Sequence, residues 1–477
     1  MARFKHERLA EQFIGLIDRG ELKAGQKLPS LRMMSKQQGV SLMTAYHAIN
    51  SLQGLGYVES RPKSGYYVRK PKQKISFRRQ QKLSEKKNPK SIDELVQLVY
   101  GTNRSNEYIS FALNTPDVEL LPATKLKQSI LHVNRNRSHA ALQYGPIQGI
   151  RELREQIAVL MANSGIEVDS DELLITVGCQ EAINLAITAC TRPGDKILIE
   201  SPTYFGVFQA ISSKGRIPVE VETDFEHGVV LKSLFEAVEK HQPAACLLVT
   251  NFSNPLGASI PDEDKERLVH FLQEKQVTLI ENDIYGELYF GAKRPRSCKS
   301  FDQDENVIYC SSFSKSLAPG YRIGWIESGR YFDQIFQAKI HQSVATSTLN
   351  QEILAHFLKN GRYDLHLKRL RKQLHTQSLR YQEQILKHFP KGAVLSRPKG
   401  GFVLWVQLPD EIDTVELLHL AMQQKLNFAP GQLFSLEKDL HNHLRISIGK
   451  PYDEKVEKGL QLLGKLLHAS LPSKDKT

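Results

Sequence analysis

Between residues 173 and 310 the chain alternates short aliphatic runs with stretches of helical periodicity, and few folds accept that pattern. The runs Leu173-Leu174-Ile175-Thr176-Val177, Lys196-Ile197-Leu198-Ile199, Ala244 to Thr250, Thr278-Leu279-Ile280-Glu281 and Val307-Ile308-Tyr309 are largely apolar on both sides. Such strands must be covered on both faces. Helical stretches between them, Glu181 to Thr191 among them, supply the cover and impose parallel crossovers. The pattern predicts an α/β body with a mainly parallel sheet. Around Gly401-Phe402-Val403-Leu404-Trp405-Val406 and Leu444-Arg445-Ile446-Ser447-Ile448 a small α+β C-terminal unit is expected, spanning about residues 365–477.

The net charge of +12 is unevenly spread. Residues 1–68 hold ten Lys/Arg against five Asp/Glu and residues 69–90 hold ten against one, so the remaining 387 sum to −2. A basic head and tether on a nearly neutral body point to a polyanionic partner for the head. Residues 70–91 carry too much like charge and too little apolar surface to fold, and read as a linker: a solvated spacer or a phosphate-attracting arm. No apolar run approaches the ~18 residues of a membrane span. The N-terminus has no signal core, and the five cysteines (179, 190, 246, 298, 310) form no C-x-x-C. A reducing cytoplasm is the expected compartment, without membrane or metal.

Residues 8–19 place Leu9, Phe13, Leu16 and Ile17 on one helical face. Ser30 is positioned to cap a second helix ending near Gly39, and Ser41 a third with Ala45, Ile49 and Leu52 inward, which is helix-turn-helix spacing. Tyr57-Val58-Glu59-Ser60 and Tyr66-Tyr67-Val68 then alternate as two strands around a basic tip, Arg61-Pro62-Lys63-Ser64-Gly65, giving a winged helix-turn-helix domain over residues 1–69. In such a domain Ser41, Met43, Thr44 and His47 reach base edges, while Arg32, Arg61 and Lys63 sit at phosphates or the minor groove. The segments Leu28-Pro29-Ser30-Leu31-Arg32 and Gly56-Tyr57-Val58-Glu59-Ser60-Arg61 resemble the GntR-type DNA-binding domain.

The strongest chemical signal is Ser311-Ser312-Phe313-Ser314-Lys315-Ser316, with Arg322 seven residues beyond the lysine. An amine flanked by hydroxyls and a guanidinium suits condensation with a phosphorylated aldehyde. This segment resembles the lysine motif of fold-type I pyridoxal-phosphate enzymes of the aspartate aminotransferase class. The resemblance implies pyridoxal 5'-phosphate on Lys315, its phosphate held by Gly178, Cys179, Gln180, Ser312, Ser314 and Arg322. It further implies Tyr204 stacked on the pyridine, Asn254 and Tyr285 at the phenolic oxygen, Tyr144 lent across a dimer, and Arg445 forked onto a substrate or effector α-carboxylate. One position departs from the pattern. An aspartate is usual three residues before the tyrosine, but here that residue is Asn282, with Asp283 one nearer. Either Asp283 takes the role at the pyridine nitrogen or the cofactor is electronically weakened.

A GntR-type head, a basic linker and an aminotransferase-like body over residues 92–477 together resemble the MocR group of bacterial regulators. The resemblance implies a homodimeric, head-to-tail, pyridoxal-phosphate-dependent transcription regulator. It would bind double-stranded operator DNA and sense a small amine, an amino acid or pyridoxal phosphate itself. A working amino acid aminotransferase with an appended DNA-binding domain is the competing expectation, because Lys315, Tyr204, Asn254, Arg322 and Arg445 permit the half-reaction.

Overall fold

The computed structural model describes residues 5–61, 64–69, 92–101, 108–139, 142–437 and 439–472. Lys63 and the tether at 70–91 lie outside them. The chain divides into two compact units, Met1–Gln80 and Gln81–Thr477.

In the first unit, helices α1 (Lys5–Asp18), α2 (Leu31–Gln38) and α3 (Leu42–Gly54) are followed by the antiparallel strands β1 (Val58–Arg61) and β2 (Gly65–Val68). Ser30 Oγ accepts from Met33 N, and Gly39, at φ 61°, supplies the left-handed residue that ends α2. Ser41 Oγ accepts from Thr44 N at 3.0 Å and caps α3. Ala45, Ala48, Ile49 and Leu52 form one fully buried stripe of α3, packed with Leu9, Phe13, Ile17, Met34, Val58 and Val68. Ser41→Ala leaves an orphan donor in the first turn of α3 and is expected to cost the head about 1 kcal/mol, read as a lower urea midpoint of its unfolding transition.

The second unit is built on an eight-stranded sheet. Its order is Leu173–Thr176, Gly324–Glu327, Val307–Ser312, Thr278–Asn282, Ala245–Leu248, Lys196–Ser201, Ile217–Asp224 and Gly228–Val229. The run from Val307–Ser312 through Ile217–Asp224 is parallel; Gly324–Glu327 and Gly228–Val229 run against their neighbours. Helices cover both faces, which is why nearly every residue of the central strands is buried and most of them are apolar.

A second, four-stranded antiparallel sheet joins Val394–Leu395, Val403–Gln407, His443–Ser447 and Ala429–Pro430. The long helix Arg362–His388 and the helices Thr414–Gln423 and Glu454–Ser470 pack with it in one cluster. This smaller unit also takes chain from well before residue 365. Ile109–Ser110 pairs in parallel with Leu426–Asn427, and Leu95, Val99 and Phe111 enter its core.

Candidate cofactor site and DNA-reading surface

In an open parallel sheet the carboxyl ends of neighbouring strands converge on one edge, where loops can hold a ligand. Five such ends lead directly into the segments singled out from sequence: Gly178-Cys179 after Leu173–Thr176, Pro202 to Tyr204 after Lys196–Ser201, Asn251 to Asn254 after Ala245–Leu248, Asp283 to Tyr285 after Thr278–Asn282, and Phe313 to Lys315 after Val307–Ser312.

Lys315 is partly buried there. Its Nζ donates to the carbonyl of Asn114 and lies 5.9 Å from the centroid of the Tyr285 ring. Burial, then the positive charges of Arg445 and Arg322, push its ammonium down to about 7. Close to neutrality a substantial fraction of the side chain, about half, therefore exists as the free amine, the nucleophilic form.

Gly178 (φ 77°) precedes the helix Cys179–Cys190, and a Cβ on it would collide with the Arg322 guanidinium. Arg322 donates to Ser314 Oγ at 3.1 Å and to the Val177 carbonyl at 3.2 Å. Ser314 N donates to Ser312 Oγ at 3.3 Å. Free amides at a helix start, two hydroxyls and a guanidinium make a cradle for a phosphate. Gln180 is exposed and its Nε2 donates to the Gly206 carbonyl at 3.3 Å, so its backbone rather than its side chain belongs to that cradle.

On the opposite side Arg445 is fully buried. It donates from Nη1 to Asn254 Oδ1 at 2.9 Å and from Nη2 to the Ala112 carbonyl, and it leaves Nε without a partner among the described residues. Tyr285 OH accepts from Asn114 Nδ2 at 2.7 Å, and Asn114 Oδ1 is likewise buried without a partner among them. Tyr204, whose hydroxyl burial keeps protonated, is close enough to both Arg445 and Arg322 to feel their charge. The orphaned Arg445 Nε and Asn114 Oδ1, together with the cradle around Gly178, fit a phosphorylated pyridine aldehyde whose bound partner carries a carboxylate.

Asn282 and Asp283 point to different surroundings. Asn282 Oδ1 accepts from Cys179 Sγ at 3.3 Å, whereas Asp283 accepts from Asn251 Nδ2 (2.9 Å), Tyr309 OH (2.9 Å) and Arg294 Nη2 (2.5 Å). Tyr144 stands apart from the rest, with its side chain 90% exposed.

Glu200, at the carboxyl end of its strand, is 2% exposed, with Thr203 Oγ1 donating to it at 3.3 Å. Burial raises its carboxyl to about 8. The folded state thus keeps a proton that the unfolded chain releases near 4.5, so this group's contribution to stability is full below 4.5 and declines as pH rises to about 8. Glu200→Gln is expected to flatten the decline, giving a higher urea midpoint than wild type at pH 8.5 and little difference at pH 5.

In the head, Arg32, Ser41, Met43 and His47 are exposed. Ser41 and Thr44 bond each other through their hydroxyls at 2.8 Å, and Ser41 also serves as the cap, whereas Met43 and His47 take no part in it. Arg61 lies 4.3 Å over the Tyr67 ring and donates to Glu59 Oε1 at 2.9 Å, which together with Arg69 holds the Glu59 carboxyl below its usual range.

Residues 5–68 match the gntR family of bacterial regulatory proteins and residues 106–463 the aminotransferase class I and II family. The uncharacterised HTH-type transcriptional regulators YdcR and YjiR of Escherichia coli are 35% and 33% identical, over 98% and 99% of this chain and the whole of each relative. The chain belongs to the MocR-type, gntR-family regulators. The regulator's body is similar in fold to the α-aminoadipate aminotransferase LysN of Thermus thermophilus, solved in complex with N-(5'-phosphopyridoxyl)-L-leucine. The TM-score is 0.74 at 29% identity, over 80% of this chain and 97% of that one.

Sequence reasoning did not single out Asn114, whose carbonyl and amide meet Lys315 and Tyr285. Its one sequence signal is the stop of the apolar run Phe111-Ala112-Leu113 at Asn114-Thr115-Pro116. Arg294, the buried partner of Asp283, gives no signal at all, because it pairs across a loop.

Proposed function

We propose that the body of this regulator binds pyridoxal 5'-phosphate at Lys315 and that a small amine, an amino acid or the cofactor itself, on binding there, alters the affinity of the head for operator DNA. The observation that carries this reading is the position of Lys315, an amine held near neutrality between the Arg322 cradle and the buried Arg445, on a chain that begins with a winged helix.

Residues 1–69 form the DNA-binding part, 70–91 the tether and 92–477 the effector body. When bound, the cofactor supplies an aldehyde that captures primary amines and a ring that can withdraw electrons. The backbone at Gly178, Cys179 and Gln180, with Ser312, Ser314 and Arg322, holds its phosphate. Tyr204 stacks on the ring, and Asn254 and Tyr285 donate to its phenolic oxygen. Arg445, with Nε free, orients a ligand carboxylate by charge-assisted hydrogen bonds. Tyr144 has its ring in solvent in the single chain, and this supports a homodimer, head to tail, in which it serves the neighbour's phosphate. The cytoplasm, where operator DNA is found, is the proposed site of action.

The head reads DNA through Met43, His47, Ser41 and Thr44 and grips phosphates through Arg32, Arg61 and Lys63. A labelled fragment from upstream of the regulator's own gene is expected to shift with protein in a salt-dependent way. Arg61→Ala should weaken binding at every sequence and reduce the slope of log affinity against log salt by about 0.9, the value for one lost phosphate contact. Binding that ignores salt, or rapid multiple turnover of amino acids with 2-oxoglutarate, would favour the aminotransferase instead.

A further inference from the structure

We propose that Asn282 meets the pyridine nitrogen of the bound cofactor and keeps it unprotonated, so that this body retains amines without activating them for transamination. The inference rests on the reading that the pocket takes pyridoxal phosphate.

Side chains alternate across the sheet along Thr278–Asn282. Leu279 packs with Leu198, Cys298 and Val307 on one face, while Ile280 packs with Ala182, Ile183 and Cys310 beneath the helix Cys179–Cys190 on the other. Glu281 follows Leu279. Its carboxylate accepts from Thr250 Oγ1 at 2.5 Å and from the amides of Cys298 and Lys299. Asn282 follows Ile280 and reaches the start of the helix Cys179–Cys190, where Cys179 bonds it. In pyridoxal phosphate the ring nitrogen is para to the carbon that bears the aldehyde, so a ring held by Lys315 and the Gly178 cradle would turn its nitrogen toward the strand end that carries Asn282.

Asp283 cannot substitute. Its side chain has no solvent exposure, three donors occupy it, and the nearest of them, Arg294, is itself only 6% exposed. Swinging the carboxylate toward the pocket would leave a buried guanidinium with Glu287 as its one nearby carboxylate among the described residues.

The amide is also fixed in direction. Burial pushes the Cys179 thiol up to about 12, so it stays an S–H donor, and its acceptor is Asn282 Oδ1. The other end of the amide is Nδ2–H₂, which has no hydrogen-bond acceptor among the described residues. A donor facing a pyridine nitrogen matches only the lone pair, that is, the unprotonated ring. Among the charges that Cys179 feels at this point the largest, Asp283, is already paired with Arg294, and Arg322 is positive and opposes a further cation. Without the ring proton the electron sink is weak, and the Cα–H of a bound amino acid is not labilised.

The test uses the full-length protein and pyridoxal phosphate labelled with ¹⁵N in the ring. Absorbance of the lysine-bound cofactor reports loading, and the ¹⁵N chemical shift reports the ring proton. The wild type should load and show the unprotonated shift, with slow deuterium exchange at Cα of an added amino acid. Asn282→Asp should move the shift to the protonated position and speed the exchange by at least about 100-fold, the effect of one preorganised charge. Loading with a protonated shift in the wild type overturns this inference and leaves the cofactor reading intact. A protein that never loads overturns both. The wild-type spectrum decides the matter even if the variant fails to fold.

Discussion

Lys315→Ala is expected to abolish covalent retention of pyridoxal phosphate. After borohydride reduction and denaturation the wild-type chain should keep the chromophore and the variant should lose it entirely. The size of the effect follows from geometry. No lysine other than Lys315 stands in the strand-end segments that form the pocket, and the proposed cradle around Gly178 and Arg322 would hold a phosphate without bonding the aldehyde. The depressed ammonium adds a pH signature. Because burial, Arg445 and Arg322 bring it down to about 7, the rate of cofactor capture should rise through that pH and level off above it, where an exposed lysine would still be gaining. Rapid mixing of apoprotein with pyridoxal phosphate across pH 6–9 checks this.

Asp283→Ala should destabilise the body by roughly 3–5 kcal/mol, because it breaks a buried ion pair and leaves the partner charge in place. Arg294 would keep Glu287 at 2.7 Å as its only ion-pair partner among the described residues, and Tyr309 and Asn251 would lose an acceptor in a buried site. Its neighbour should behave quite differently. Asn282→Ala removes one weak S–H bond and should cost about 1 kcal/mol or less. Urea denaturation of the two variants, compared at the transition of the body, tests whether adjacent polar residues divide into one that holds the fold and one that faces the ligand. Equal losses would contradict that division.

The same pair shows how far sequence reached. Strands and crossovers were legible because continuous apolar runs such as Ala245–Leu248 have few other uses, and the caps at Ser30 and Ser41 because their hydroxyls precede helical periods. Lys315, Arg322, Asn254 and Arg445 were legible because each stands in a local motif; the first three lie in loops at one edge of the large sheet, and Arg445, on His443–Ser447 of the second sheet, reaches Asn254. What stayed closed depends on contacts between distant segments. The direction of Asp283 is set by Arg294, Tyr309 and Asn251, and no spacing rule links those positions. The smaller unit likewise borrows Ile109–Ser110 as a strand more than 300 residues before its pairing partner Leu426–Asn427, a non-local pairing that periodicity does not encode.

The central claim is that occupancy at Lys315 is felt at the DNA. A tenfold change in DNA affinity requires the ligand to discriminate between two arrangements of the protein by about 1.4 kcal/mol. The most direct measurement is the dissociation constant for an operator fragment at fixed salt, taken with apoprotein, with pyridoxal phosphate, and with pyridoxal phosphate plus a panel of small amines and amino acids, for wild type and Lys315→Ala in parallel. The account predicts a shift of about tenfold or more with at least one of these additions in the wild type, and none in the variant. Identical affinities in every wild-type condition, from a protein that loads the cofactor, would contradict it.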